Sequence, residues 1–491
     1  MKKLSTLLWA MAVIVATMLS SCSKSDADSR AELLSQLSDE AFVTVSLDPM
    51  ALFKSAGATV EGGRVVLPPE LQRMTRGDNP VSRIVALSGA KGVDRHSLVV
   101  SVTYPERVVM LFAISDKGDF SAWARGEGYN ESTADGMTVY DAPGEDFAVV
   151  VDGKIGSVVN AKGIEAIKVR QQAREAAATH PMPQWRAERL AEGDVAIAID
   201  GARLKEIVSS ISSDFMPEGF QGDYAITVID FKGPRIEYKA HAYDREGKEM
   251  EMLKPGTYKP VSTESLALVG GNDLVWALAI GDDYKAMMRR EMSMYAHEAS
   301  DDYGAVVDSM LNVVDAFAMG ISVKKDAGIL GFGADSFSGA IVVDSKKDAV
   351  ERTMTEGRNN VAALLGGSGV SLTDGPDNSV EINAGGKMKL YAYGRGDRFV
   401  LSTNPPAALS PFKGLTYSDG LVAYMSLNLA PDRLPLNLIG SSFGIEARAE
   451  TTAHVSEGYI ELTGADGGFI ENILKLCLLY TSPSPRDRTR S

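Results

Sequence analysis

Two cysteines in 491 residues exclude a disulfide framework or a cysteine-built metal centre. Histidine is nearly as scarce, at five. His96, His180, His241 and His454 stand far apart and read as separate structural histidines. His297-Glu298-Ala299-Ser300-Asp301 opens like a zincin helix, but Asp301 stands where the second ligand is required. Basic residues are also short, 50 against 65 acidic, a net charge of −15. That balance argues against nucleic acid, which needs a basic face, and against direct adsorption to anionic lipid. Gly366-Gly367-Ser368-Gly369-Val370 lacks the last glycine of a nucleophile elbow, and Gly331-Phe332-Gly333 lacks the third glycine of a dinucleotide turn. Asp374-Gly375-Pro376-Asp377-Asn378 lacks the alternating acids of a calcium loop and reads as a turn. No catalytic residue, metal ligand or cofactor is therefore expected. Apolar residues are plentiful, at 45%, enough for real cores.

Only one long apolar run is present, Leu7 to Leu19, and it is shorter than the roughly 20 residues of a membrane span. Lys2 and Lys3 precede it and Leu19-Ser20-Ser21-Cys22 closes it, the layout of a secretory signal. The closing residues resemble a bacterial lipobox. The resemblance implies that 1–21 is a signal peptide and that Cys22 is the lipid-attachment residue and new N-terminus. Acyl chains there would anchor the protein to a membrane at about 0.8 kcal/mol per buried CH2. Residues 22–38 read as a polar tether followed by a lead helix. Ser23 after the cysteine resembles the outer-membrane sorting pattern of Gram-negative lipoproteins, and Asp26 and Asp28 resemble an acidic surface-export signal. The implied location is the outer membrane, lipid-anchored, on its periplasmic or outer face.

At the other end, Cys477 to Asp487 reads CLLYTSPSPRD and resembles the conceptual translation of a sequencing adapter. A helical pattern, Glu471 to Leu476, runs abruptly into this Ser/Pro/Arg stretch, so 477–491 is taken as a non-native tail.

Between these ends one unit recurs: an alternating apolar run, an Asp or Asn turn, and a helix start. It appears at Ala41–Asp48, Asp194–Asp200, Leu274–Ile280 and Leu421–Asn428. The first and third copies, and the second and fourth, lie about 230 residues apart, too long a period for a solenoid array. Ser115 and Asp344 open helices at a similar offset, and the hairpin Phe147–Asn160 matches Lys389–Asn404 in outline. The expected fold is α+β, two tandem related halves with antiparallel hairpins and packed helices. The first half is placed at 39–254, a turn-rich linker at 255–270 and the second half at 271–476. Amphipathic helices are expected over 282–297, rich in Met287, Met288, Met292 and Met294, and over 306–317 with Ala318 closing the stripe.

Arg395-Gly396-Asp397 reads as a hairpin tip matching Asp152-Gly153-Lys154, rather than an adhesion motif. Trp276 lies in a strand run and is expected in the core. Trp185, in Pro181-Met182-Pro183-Gln184-Trp185, is the candidate for an exposed ring that stacks on a ligand. The lipobox, the Ala41–Asp48 opening and the paired hairpins together resemble a family of uncharacterised Bacteroidota cell-envelope lipoproteins. That resemblance implies a lipid-anchored, non-enzymatic protein that binds or scaffolds an envelope protein or polymer. A glycan-binding accessory lipoprotein and a hydrolase with a dispersed site are the alternatives.

Overall fold

A computed structural model describes residues 27–61, 64–69, 89–103, 107–144, 146–203, 223–252, 258–282, 284–286, 311–323, 337–355, 370–384, 388–408, 418–430 and 444–481, with 72, 87, 288, 289 and 412. Cys22, His297 and most of the methionine-rich segment lie outside them. The fold is mixed α+β and mostly sheet, with antiparallel pairing throughout the described strands. Two compact units are present: Met1–Met216 with Gly222–Met250 and Ala465–Ser491, and Glu251–Gly464 with Pro217–Gln221.

The first unit opens with α1 (Ala27–Leu34), β1 (Val43–Leu47) and α2 (Pro49–Ser55), whose first turn is capped by Asp48 Oδ1 accepting from Ala51 N–H at 3.0 Å. A small ribbon follows, β2 (Thr59–Glu61) with β3 (Arg64–Val66), then β4 (Val93–Thr103), β5 (Arg107–Ile114) and α3 (Lys117–Gly126). A meander comes next: β6 (Asn130–Ala134), β7 (Met137–Asp141), β8 (Ala148–Asp152) and β9 (Ile155–Val159). Helices α4 (Gly163–Thr179) and α5 (Gln184–Leu190) lead to β10 (Val195–Asp200), β11 (Tyr224–Lys232), β12 (Arg235–Tyr243) and β13 (Glu249–Met250). Across the sheet the order is β6-β7-β8-β9-β5-β4-β1-β10-β11-β12. Alternation puts Val99, Leu111, Ala196, Ala198, Tyr224 and Ile226 on one face, where Leu33 and Leu34 of α1 and Ala187 and Leu190 of α5 cover them. A second cluster joins α4 to the meander through Ala166, Ile167, Val139 and Val150.

The second unit begins with α6 (Thr263–Val269), capped by Ser262 on Ser265 N–H. This helix lies inside the stretch expected as a linker. Its Leu266, Leu268 and Val269 are buried in the unit's core, so 263–269 is a packed element. The strands are β14 (Leu274–Ala279), β15 (Ala316–Val323), β16 (Phe337–Asp344), β17 (Val370–Asp374), β18 (Val380–Ala384), β19 (Met388–Arg395), β20 (Arg398–Ser402), β21 (Ala423–Leu429), β22 (Gly444–Thr451) and β23 (Val455–Thr463). Their order is β17-β18-β19-β20-β16-β15-β14-β21-β22-β23. Strand for strand this is the order of the first sheet, with β14 in the place of β1 and β21–β23 in that of β10–β12. The final helix, α7 (Phe469–Thr481), runs through Cys477 and belongs to the first unit, where Ile470 and Leu474 are buried.

Of the helix expected over 306–317, residues 306–310 lie outside the described residues, 311–313 are helical, and a strand begins at Ala316. Ala316, Ala318 and Gly320 face the core at strand spacing, and three successive small residues at alternate positions let β15 pair closely with β14 and β16. Both hairpin tips are two-residue turns with a glycine in the left-handed region, Gly153 (φ 63°) between Asp152 and Ile155 and Gly396 (φ 67°) between Arg395 and Arg398.

Candidate functional site

Ion pairs concentrate at one end of the first sheet, where β1 begins, β10 ends and β11 begins. Helix α5 points Arg186 into this corner. Its guanidinium is fully buried, donates to Asp39 Oδ1 at 2.6 Å, and lies 4.4 Å over the Tyr224 ring. Longer contacts reach the Ala41 carbonyl at 3.4 Å and Thr44 Oγ1 at 3.5 Å. The Tyr224 hydroxyl donates to the same Asp39 oxygen at 3.2 Å and accepts from Arg245 Nη1 at 3.4 Å. Burial pushes the Tyr224 phenol above its ordinary range, opposed by the Arg186 charge, so the ring keeps its proton and serves as a donor. Asp200, also buried, lies 3.4 Å from Arg203 Nε and 4.0 Å from Arg245 Nη2, and Arg245 reaches Asp223 at 3.8 Å. Three arginines thus face Asp39, Asp200 and Asp223, and the corner is a charge-balanced lock between α5 and the strand ends, with Arg186 Nε and Asp200 Oδ2 buried without a hydrogen bond among the described residues.

Trp185 sits beside this lock. Its ring meets Tyr224 edge-on at 5.8 Å and Tyr243 at 5.5 Å, and Gly247 (φ 85°) crosses so closely that a Cβ there would fall 2.4 Å from the ring. The expected exposed stacking platform is therefore a half-buried packing residue, because α5 turns this side toward β11 and β12. Its Nε1 is buried with no hydrogen-bond partner among the described residues.

A second polar pair lies at the opposite end of β1. Asp48, besides capping α2, holds His96 Nδ1 at 3.0 Å through Oδ2. The carboxyl is 1% exposed and the imidazole 36%. Burial raises the Asp48 pKa above its ordinary value, against the lowering effects of the His96 bond, the Ala51 amide and the Arg30 charge. The other described histidines each have their own carboxylate: His180 with Glu40, His241 with Glu249 and His454 with Glu251. Among the described residues no three His, Cys, Asp or Glu side chains converge as a metal site would require. The 374–378 segment is a turn between β17 and β18, with Asp377 and Asn378 at positive φ. Asp397 at the second hairpin tip is paired with Arg398 at 2.8 Å.

The second sheet carries a different kind of surface. One face is closed by α6 over Val275, Ala277, Ala318, Val342, Val400 and Tyr424. The other face presents a row in register across the strands: Leu401, Ile341, Met319, Trp276, Met425 and Ala449. Trp276 is 39% exposed, Ile341 39%, Met425 44%, and Ile460 on β23 43%. Trp276 is thus on the open face and not in the core as its strand setting suggested. It meets Phe317 edge-on at 4.9 Å. Phe399, Val343, Phe317, Leu278 and Ala423 form a parallel row, all partly exposed. In the first sheet the corresponding face is closed at its centre, where Val43, Val45, Leu47, Val100, Met110 and Ile197 are each at most 8% exposed, and half-buried toward Ile199, Ala225 and Ile229. Sequence reasoning missed this surface, since alternation marks two faces without telling which is covered.

No helix among the described residues is long and apolar enough to cross a membrane. No family model matches the chain, and no curated protein matches it. Among solved structures, crystal form IV of TP0453 is similar over 42% of this chain and 79% of that one, at 12% identity and a TM-score of 0.27. Forms I and III give 12% and 11% identity, 43% of this chain, 77% and 78% of that one, and the same TM-score. Likeness at that level does not establish a common fold.

Proposed function

We propose that this chain is a lipid-anchored cell-envelope protein that binds a partner through the open face of its second sheet and carries out no catalysis. The observation that carries the reading is the exposed apolar row centred on Trp276 and Met425. An open face of this kind, on a sheet whose other face is packed, marks an interaction surface. The lipobox-like Leu19-Ser20-Ser21-Cys22 supports attachment through Cys22 to the outer membrane. The two sheets are read as tandem copies of one ancestral unit, supported by ten strands that share chain order, sheet order and antiparallel pairing. On this reading one copy became the sealed scaffold and the other kept an open face. The polar clusters of the first unit support a structural role, since their charges are matched within the fold.

The test is photo-crosslinking in intact envelopes from a benzophenone side chain at Met425. A crosslinked envelope component, absent when the probe is moved to a hairpin tip such as Lys154, is the expected outcome. Equal yields from the two positions would refute the reading.

A further inference from the structure

The dimensions and chemistry of the open face narrow its occupant. Seven strands, β20 to β23 across the sheet, at about 4.8 Å spacing make it at most about 29 Å wide, with its far corner closed at Ala447 (6% exposed) and Leu462 (1%). Three outward positions per strand give it a length of roughly 14 Å, so its area is on the order of 400 Å2. A stable protein interface takes about 800 Å2 from each partner, twice what this face offers. A protein partner also brings backbone donors and acceptors, and no charged side chain stands in the row or its flank to answer them. Acyl chains bring none. The chains of one leaflet reach about 15 Å, half of a hydrocarbon core of about 30 Å, which matches the length of the face along its strands. In the first unit the same face is buried at its centre, where Val43, Val45, Leu47, Val100, Met110 and Ile197 are at most 8% exposed, so an apolar cover there is part of the architecture. Among the described residues of the second unit, Trp276, Ile341 and Met425 have no such cover.

We propose that the open face of the second sheet binds the acyl chains of a membrane lipid, laid along the strands over Trp276 and Met425. This rests on the reading of that face as a binding surface. Met319 and Met425, unbranched and polarisable, suit a chain with many conformers. Trp276 supplies a reporter at the centre of the row.

The experiment titrates the full chain with stearic acid carrying a nitroxide at mid-chain, kept below its micelle-forming concentration, and follows tryptophan emission. Saturable quenching is expected, lost in Trp276→Phe. The double variant Ile341→Glu with Met425→Glu should weaken the apparent affinity at least about tenfold, since each carboxylate would have to be desolvated. Its melting temperature should stay that of the parent; should it melt early, Met425→Gln at the most exposed position replaces it. No saturable quenching, or quenching undiminished in a folded variant, overturns the proposal. Binding of an apolar dye without quenching by the fatty acid, or self-association lost in the variant, overturns the lipid assignment and leaves the binding surface standing. Absence of dye binding, quenching and self-association together defeats both.

Discussion

Replacing Arg186 by Ala is the sharpest test of how the first unit is held together. The guanidinium is fully buried, 2.6 Å from Asp39 and 4.4 Å over Tyr224. Truncation leaves the Thr44 hydroxyl and the Ala41 carbonyl without this donor, opens a cavity along the arginine stem, and strips Tyr224 of its stacked cation. The emptied volume and the orphaned polar groups bring the cost to about 3–5 kcal/mol, of which the cation–π contact accounts for up to about 2. For a unit of this size that is a fall of roughly 6–20 °C in Tm. Arg186→Lys keeps the charge but loses the fork and the flat stack, so about a third to a half of that cost is expected. Arg186→Met fills the stem volume, and Asp39, 26% exposed, can rehydrate, so this variant should be the mildest. The assay is urea unfolding of the full chain, followed through Trp185 emission with Trp9, Trp123 and Trp276 replaced by Phe. A loss below about 1 kcal/mol for Arg186→Ala, or a lysine variant equal to wild type, would refute the lock.

Further outcomes concern other positions. Asp48 has a pKa raised by burial above its ordinary 3.8, so its acid form is favoured by folding; that contribution is complete below the unfolded value and is lost as pH rises through the folded one. Asp48→Asn keeps an oxygen for the α2 cap and cannot titrate, so the stability of wild type relative to this variant should fall as pH is raised above about 4; a difference that is flat or rises with pH contradicts the assignment. Gly156→Ala would set a Cβ 2.3 Å from the buried Phe112 ring and should cost about 1–3 kcal/mol in chemical denaturation. Gly247→Ala, at φ 85° and 2.4 Å from Trp185, should cost a similar amount and shift Trp185 emission; an unchanged spectrum would show that the ring is not packed there. Cys22→Ser should abolish incorporation of a labelled fatty acid and release the protein from membranes, and retention would defeat the anchor.

Much of the strand content was legible in the sequence because it depends on local alternation and turn chemistry. Val43–Leu47 with Asp48 as cap, and the hairpin turning at Gly153, follow from period-two burial and a helix-capping acid. The faces were not legible. Trp276 and Ala277 are neighbours in one strand, and only the placement of α6 leaves the first exposed and the second buried. The Val314–Ala318 stretch satisfies helical and strand spacing at once, and pairing with β14 and β16 decides for strand. Turn residues at Pro255 and Gly256 suggest a linker, whereas the Ser262 cap starts a buried helix twelve residues before β14 begins at Leu274. Proline-rich flanks signal exposure of Trp185 locally, whereas Tyr224 and Tyr243, which enclose it, are distant in sequence.

The central claim is that one sheet is closed by the protein itself and the other is closed by something in the envelope. Thiol labelling measures this directly in a Cys477→Ser background. Met425→Cys, at a site 44% exposed, should react fast in the purified protein, while Val45→Cys, at a site 1% exposed on the sealed face, should stay protected. In intact envelopes Met425→Cys should become protected too, and regain its reactivity on purification. Equal reactivity of Met425→Cys in envelopes and in purified protein would contradict the account.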